Sequence, residues 1–170
     1  MIRTWLRTAG IAAAIVRARN IKKREAFRRH ADKFMPCPEI PAAFCLDQIR
    51  PAAAFLAKGN TLCIAMDVPN SKGKIVEVPF GPGWSFRMTT GAVRLAIREQ
   101  AELMPVTLID EGGWRFRLEI GRPVPKELLT AGADWSLVGK HLIDEMMPHF
   151  KAHPECCGRN LMLSLKKSIA

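Results

Sequence analysis

Several features are missing from this 170-residue sequence, and each absence narrows the class of protein. It contains no tyrosine, and aromatic residues make up only 7% of the chain. No apolar run reaches the roughly 18 residues that a membrane-spanning helix needs, so none is predicted. The five cysteines form no CxxC pair and no regular framework, which argues against a disulfide scaffold and favours a reducing compartment.

Motifs of several large enzyme classes are absent as well. The sequence has no GxxxxGK[ST] phosphate loop, no GxGxxG after a predicted strand and no GxSxG nucleophile elbow. Nucleic-acid binding is also not predicted. The aromatic residues fall mostly on predicted core faces and do not interleave with the basic residues, as a base-stacking surface would require.

What the sequence does contain is enough apolar material for a core and an uneven distribution of charge. Apolar residues make up 48% of the chain, and the formal net charge is +10. Residues 1–35 hold ten basic and two acidic residues and carry +8, whereas residues 36–170 hold 16 and 14 and carry +2. The sequence therefore predicts a folded, nearly neutral body with a basic N-terminal segment that faces an anionic partner.

Hydrophobic periodicity and turn residues predict an α/β fold in a single domain, with a mixed β-sheet flanked by helices. The predicted helices cover residues 1–33, 44–57, 91–100, 135–150 and 160–165. The predicted strands cover residues 61–66, 75–80, 103–109 and 114–120. Pro79 predicts that the second strand lies at a sheet edge, and Asp110 to Gly113 predict a hairpin turn. So few strands indicate a sheet that is incomplete on its N-terminal side.

The sequence near the C-terminus contains a possible metal-binding pattern. His149, His153 and either Cys156 or Cys157 have the spacing H-x3-H-x2-C, and histidines four residues apart on a helix can share zinc. Prolines flank the pair and a fourth ligand is not evident. The pattern therefore favours histidines that complement a helix C-terminus, and no metal is predicted.

The most specific passage covers residues 76–125 and has a recognisable order. Phe80-Gly81 follows a strand, Gly91 opens a helix that contains Leu95-Ala96, and Pro105-Val106 opens the next strand. A return strand then carries Arg115-Phe-Arg-Leu118. Leu56-Ala-Lys-Gly59 and Ile64-Ala-Met-Asp67 precede this passage, and His153-Pro154-Glu155 follows it.

Over about residues 44–165 this order resembles the bacterial lysophospholipid acyltransferase-like superfamily, especially its lipid A biosynthesis (lauroyl/myristoyl) acyltransferase branch. The resemblance implies an acyltransferase-like fold and transfer of a fatty acyl chain from a carrier thioester to a lipid hydroxyl. Its co-substrate would be acyl-ACP or acyl-CoA, with no cofactor. The acceptor would be a lipid A or phospholipid precursor, and the chain would sit peripherally on the cytoplasmic face of the inner membrane, or otherwise in the cytoplasm.

The resemblance also implies substrate-binding residues, each of which has a simpler structural explanation. Arg17 and Arg19 would face the acyl carrier or lipid phosphates, although a solvated helix face explains them equally well. Gly81, next to Phe80, and Gly91 would let the backbone approach a substrate groove, or would serve as turn and helix-start glycines. Asp67 lies after a strand, where α/β sites gather, or caps a loop.

One departure from the family concerns catalysis. The family uses an H-x4-D or H-x4-E motif, in which the histidine is the general base and the carboxylate orients it. The fifth residue after each of the four histidines is methionine, methionine, proline or glycine, so no catalytic residue is identified. We expect that this chain is the C-terminal part of an acyltransferase from a truncated, split or mis-started reading frame. The upstream DNA tests this expectation. The alternatives are a non-catalytic homologue that binds lipid or a membrane surface and, with less support, a basic nucleic-acid module.

Overall fold

A computed structural model describes residues 13–17, 43–45, 49–67, 74–113 and 115–167. It divides the chain into two compact units, residues 1–65 and residues 66–170. Within the described residues the fold is mixed α/β, with several small sheets and four helices. None of these helices is long and apolar enough to cross a membrane. The prediction of a single domain stays a prediction.

The first unit is built on a parallel sheet. Strand β1 (Ala13–Arg17) lies between β2 (Ala43–Cys45) and β3 (Thr61–Ile64), and both pairings are parallel. Helix α1 (Ile49–Leu56) connects β2 with β3, as parallel strands require a crossover. Ala14 of β1 and Ala52 of α1 are buried together, and Phe55 and Leu62 pack against them.

Two predicted helices in this unit are wrong over part of their length. The helix predicted over residues 1–33 is contradicted at Ala13–Arg17, which form β1, and the rest of that segment lies outside the described residues. Alanine favoured a helix locally, but Ile15 and Val16 are β-branched and the strand gains two parallel neighbours. The second predicted helix begins at Ile49 rather than at residue 44, because residues 43–45 form β2.

The predicted end of α1 is confirmed. Gly59 has a φ of +79°, a left-handed conformation that glycine adopts without strain, and its N–H donates to the carbonyl of Leu56 at 2.9 Å. Asn60 donates its side-chain amide to the carbonyl of Phe55 at 2.9 Å. Two carbonyls of the last helical turn are therefore satisfied before β3 begins.

The second unit contains five strands and three helices within its described residues. The strands are β4 (Ile75–Pro79), β5 (Trp84–Thr89), β6 (Val106–Gly112), β7 (Arg115–Ile120) and β8 (Leu165–Lys167). The helices are α2 (Gly91–Glu99), α3 (Trp135–Ala152) and α4 (Arg159–Ser164). Two antiparallel sheets result, one of order β4-β5-β8 and one formed by β6 and β7.

Strand β5 is an element that the sequence analysis missed. It forms an antiparallel hairpin with β4, in which Val78 lies opposite Phe86 and Val76 opposite Met88. Trp84, Phe86 and Met88 alternate with polar residues, so the signal of a half-buried strand was present. The prediction for β4 is confirmed, including its position at an edge of the sheet.

The β6–β7 hairpin is confirmed with shifted bounds. The predicted strand 103–109 is observed at Val106–Gly112, because Pro105 stands at its start and the pairing continues to Gly112 opposite Arg115. The register shifts between Asp110 and Gly112, and Asp110 accepts a hydrogen bond from the N–H of Gly112 at 2.8 Å. This bulge turns the chain tightly into β7.

Helix α2 begins at Gly91, as predicted, and the side chain of the preceding Thr90 does not cap it. The hydroxyl of Thr90 donates to the carbonyl of Lys74 at 3.0 Å and makes no capping bond. The helix ends at Glu99, and the following Gln100, in a left-handed conformation (φ 52°), donates its N–H to the last turn. The buried side of α2 carries Ala92, Val93, Leu95 and Ala96.

The core of the second unit lies where α3 crosses the β4–β5 hairpin. Its fully or nearly buried members are Val78, Phe86, Met88, Val93, Val124, Val138, Leu142, Ile143 and Leu161. Gly139 of α3 makes this close packing possible. A Cβ on Gly139 would overlap Val78 Cγ2 and would lie only 3.1 Å from Met88 Cε. Both neighbours are fully buried, so neither has space into which to move.

An ion pair joins the chain after β7 to α3. Arg122 donates from Nε and Nη2 to Glu145 Oε1 at 2.9 and 2.6 Å, and the N–H of Arg122 donates to Oε2 at 2.9 Å. These bonds lower the pKa of Glu145 from its ordinary 4.5 to about 2, and the bond from the Arg122 side chain has the largest effect. Gly121, next to this pair, must lack a side chain, because a Cβ there would lie only 2.8 Å from Pro105 Cγ.

We predict that Gly139→Ala lowers the free energy of unfolding by about 1–3 kcal/mol, because the added methyl group overpacks the core. Gly132→Ala is the matched control, since a Cβ there meets no atom within 4 Å and is expected to be nearly neutral. Urea unfolding of both variants measures the difference. Equal stability of the two variants would contradict the close approach of α3.

We predict a second, pH-dependent effect at Glu145. A carboxyl group whose pKa is lowered on folding stabilises the folded state above its unfolded pKa of 4.5, and this stabilisation is lost as the pH falls towards about 2. The unfolding midpoint of the wild type should therefore fall more steeply over this range than that of Glu145→Gln. Asp144→Asn, which removes the next carboxylate and its bond to Lys140, should keep the wild-type slope.

Candidate functional site

One of the two predicted basic site residues, Arg17, lies in the first unit's sheet. Arg17 is the last residue of β1 and lies opposite Cys45 of β2. Arg19 lies outside the described residues. The structure therefore places the backbone of Arg17 at the carboxyl end of a parallel strand, the position at which α/β proteins gather binding residues.

Asp67 and Gly91 lie at one corner of the second unit, at the open end of the β4–β5 hairpin. Thr89 donates from its N–H and its hydroxyl to the carbonyl of Met66, at 3.1 and 3.3 Å. Thr90 donates in the same two ways to the carbonyl of Lys74, at 3.1 and 3.0 Å. These four bonds fix both ends of the segment 67–74 beside the start of α2. We call this place the threonine corner: Met66, Asp67, Lys74, Thr89 and Thr90.

The electrostatics of the threonine corner combine one half-buried acid with one ordered cation. Burial raises the pKa of Asp67, and a hydrogen bond from its own backbone lowers it less strongly. The ammonium of Lys74 lies 4.9 Å from the centre of the Trp135 ring, which is within cation–π range. The Trp135 ring is itself held by a bond from Nε1 to the carbonyl of Thr130 at 3.2 Å.

Phe80 and Gly81 lie at the opposite, closed end of the hairpin. The ring of Phe80 packs against Phe86 and Phe150, with ring centres 6.5 and 6.3 Å apart. Gly81 has a φ of +88°, and its carbonyl accepts from the N–H of Trp84 at 3.3 Å. A Cβ on Gly81 would meet no atom within 4 Å, so its conformation rather than a close approach requires glycine here.

The structure thus separates the predicted site residues of the second unit into two pairs. The five residues of β4 separate Phe80 from Lys74 of the threonine corner, which is six residue steps or roughly 20 Å at strand geometry. Gly91 is exposed at the first position of α2, and a Cβ there would meet no atom within 4 Å. Asp67 follows Met66, which is hydrogen-bonded to Thr89, and Gly91 lies two residues after Thr89, so these two site residues share one end of the hairpin. Phe80 and Gly81 lie at its other end.

A histidine–carboxylate contact occurs elsewhere, although the sequence lacks the family's H-x4-D/E motif. His153 Nδ1 lies 3.1 Å from Glu155 Oε1 at the end of α3. Contact of this kind orients a general base when the second ring nitrogen faces a nucleophile. Here Glu155 is exposed and His153 is the residue that ends the helix, its N–H bonded to the carbonyl of His149 at 2.8 Å.

Sequence reasoning missed the residues that organise the threonine corner. The sequence analysis singled out none of Thr89, Thr90, Lys74 and Trp135. Thr89 and Thr90 bond to backbone carbonyls 23 and 16 residues away, and no local pattern encodes such bonds. Within the described ranges, no group of three or more His, Cys, Asp or Glu side chains is arranged to hold a metal ion.

No protein-family model matches the chain, and no curated protein matches it significantly.

We predict that Asp67→Asn raises the unfolding midpoint at pH 7. A carboxyl group whose pKa is raised on folding destabilises the folded state when it is ionised, and the amide removes that charge. The gain should disappear as the pH falls below the ordinary pKa of 3.8. Thermal unfolding at several pH values, with Asp144→Asn as the exposed control, measures this. A loss of stability at pH 7 would show that the carboxylate makes bonds that the fold requires.

Proposed function

We propose that this chain is an acyltransferase-family protein with an acyltransferase-like α/β fold. It would belong to the lipid A or phospholipid branch of acyl transfer, in which a fatty acyl chain passes from acyl-ACP or acyl-CoA to a lipid hydroxyl. The observation that carries the proposal is the position of the family-like residues between 80 and 118. Gly81, Gly91 and Pro105 stand at element boundaries that their chemistry suits, and Leu95 and Ala96 lie on the buried side of α2.

Three boundaries support this reading. Gly81 supplies the positive φ of the turn after β4. Gly91 is the first residue of α2, whose buried side includes Leu95 and Ala96. Pro105 directly precedes β6, and its carbonyl accepts a hydrogen bond from the N–H of Gly121 at 3.0 Å. This bond extends the pairing of β6 with β7 at the end away from the turn. Each of these residues meets a backbone requirement at its position. The fold itself therefore explains why the short motifs occur in this order.

The proposed roles follow from chemistry and position. Arg17 and Arg19 would bind the acidic carrier or lipid phosphates, because a guanidinium matches phosphate geometry. Asp67, beside the start of α2, would contact the polar end of the substrate. Phe80 and Gly81 would line the apolar part, although their distance from Asp67 assigns the two pairs to different ends of a long lipid.

A second candidate is a non-catalytic protein of the same family that binds lipid at an anionic membrane surface. The observation that favours it is the lack of H-x4-D/E at all four histidines. Without a base held by its carboxylate, the acceptor hydroxyl is not activated for attack on the thioester. For this 170-residue chain we therefore propose binding without turnover, at the cytoplasmic face of the inner membrane.

Binding and transfer are measured separately on the purified chain. Equilibrium dialysis with a radiolabelled dodecanoyl thioester, below its micelle-forming concentration, should show binding. Each buried methylene contributes about 0.8 kcal/mol, so an octanoyl thioester should bind on the order of a hundredfold more weakly. Incubation of the same labelled thioester with a lipid acceptor should give no acylated product.

The outcomes separate the two candidates. Binding that depends on acyl length, without transfer, supports the non-catalytic protein. Measurable transfer contradicts that part of the proposal, and His153→Gln then shows whether the exposed His153–Glu155 pair supplies the base. If neither the thioester nor the lipid acceptor binds, the acyltransferase-family proposal fails.

A further inference from the structure

Residues 159–167 cover one edge of the β4-β5-β8 sheet with one short helix and one short strand. Helix α4 has six residues and strand β8 has three, and the chain enters them through the exposed Gly158. The preceding 3₁₀ turn, Pro154–Cys156, packs against β6, so the chain before Gly158 is anchored separately. We call residues 159–167 the strap.

The strap is held mainly by one buried leucine and one short strand pairing. Leu161 belongs to the core of the second unit, and Leu165 packs against that core. The pairing of β8 with β5 covers three positions, whereas the pairing of β4 with β5 covers five. The hydroxyl of Ser85 donates to the carbonyl of Lys166 at 3.5 Å, which is the longest distance for such a bond. Lys166 also lies 3.5 Å from Glu77, but both side chains are more than half exposed, and such a pair contributes little.

One residue of the strap opposes its closure. Ser164, the last residue of α4, is only 2% exposed, and its Oγ is the one buried side-chain polar atom without a hydrogen-bond partner among the residues that the structure describes. A serine in a helix can donate its hydroxyl to the carbonyl four residues earlier, but Ser164 does not. Burial of a hydroxyl without a partner costs free energy of the same order as burial of a leucine gains. Ser164 therefore offsets much of what Leu161 contributes.

The other apolar residues of α4 do not compensate for Ser164. Met162 and Leu163 are 57% and 56% exposed, so closure of the strap removes little of their surface from water. A helix of six residues is also too short to be stable by itself. Helix α3, by contrast, has eighteen residues and four buried positions in the core. The strap is therefore held much less strongly than the helix and hairpin that form the core.

We propose that the strap opens as one unit while α3 and the β4–β5 hairpin stay folded. In the open form the hydroxyl of Ser164 reaches water, and β5 loses the pairing of Trp84, Ser85 and Phe86 with β8. Strand β5 is central in the closed sheet and becomes an edge strand beside an uncovered part of the core. The strap thus controls access to an apolar strand edge. This opening goes beyond the proposed function, because it is independent of acyl transfer.

Hydrogen exchange of the full chain, followed for each amide by NMR, tests the proposal. The hydrogen-bonded amides of α4 and β8 should exchange roughly a hundredfold or more faster than those of Leu142 and Ile143 in α3. Low concentrations of urea should change the strap rates only weakly, because the opening exposes little surface. Equal rates and an equal urea dependence in the strap and α3 would show that the strap opens only with the whole unit, and would overturn the proposal.

Ser164→Ala tests the unpaired hydroxyl. The variant removes the cost of burying it and should slow the exchange of the strap amides about fivefold or more. The factor should be the same in α4 and β8, because the two open together. Ser136→Ala in α3 is the matched control, since its hydroxyl already has a partner, Asp134 Oδ2 at 2.8 Å, and it should leave the strap rates unchanged. Unchanged strap rates in Ser164→Ala, or slowing confined to α4, would contradict a unit that opens at Ser164.

Leu161→Ala tests whether the strap is independent of the core. A part that opens alone contributes no more to the stability of the unit than the free energy of its own closure. The variant should therefore leave the strap open, with amides that exchange almost as fast as unprotected ones, while Leu142 and Ile143 stay protected. Loss of protection throughout α3 in this variant would instead make the strap an inseparable part of the core and would overturn the proposal.

Discussion

The second unit depends on how closely α3 approaches the β4–β5 hairpin. Gly139 has no side chain, so the helix backbone lies directly against Val78 and Met88, and the flanking Val138 and Leu142 bury themselves in the same contact. A hairpin of two strands is marginal by itself. Packing one face against an eighteen-residue helix supplies the burial that holds it, and the strand positions in turn determine where both hairpin ends lie.

The two ends of that hairpin differ in chemistry. At the open end, threonine N–H and hydroxyl groups hold the carbonyls of Met66 and Lys74, and a half-buried carboxylate and a cation over an indole lie nearby. At the closed end, Phe80 packs among aromatic rings and Gly81 makes the turn. A long amphiphile has the same division into a polar and an apolar end. The hairpin thus provides both kinds of environment on one rigid support.

The sequence predicted most elements of the second unit, because local patterns determine them. The alternation around Phe116 and Leu118 identified β7, and the glycines at 112 and 113 identified its turn. The sequence-based prediction failed where residues distant in the sequence determine the secondary structure. Ala13 and Ala14 favour a helix in isolation, yet pairing with residues 43–45 and 61–64 makes them strand. Asp67 and Gly91 were singled out separately, but only the bonds from Thr89 and Thr90 bring their neighbourhoods together.

The outer strands of the β4-β5-β8 sheet disfavour the addition of a further strand from another molecule. On one side β4 ends in Pro79, which has no N–H to donate, and carries the charged Glu77. On the other side β8 is three residues long, and two of them are lysines. An incoming strand would meet a missing donor at one edge and a short, positively charged template at the other. Both edges of this sheet therefore oppose the edge-to-edge strand addition by which exposed strands build aggregates.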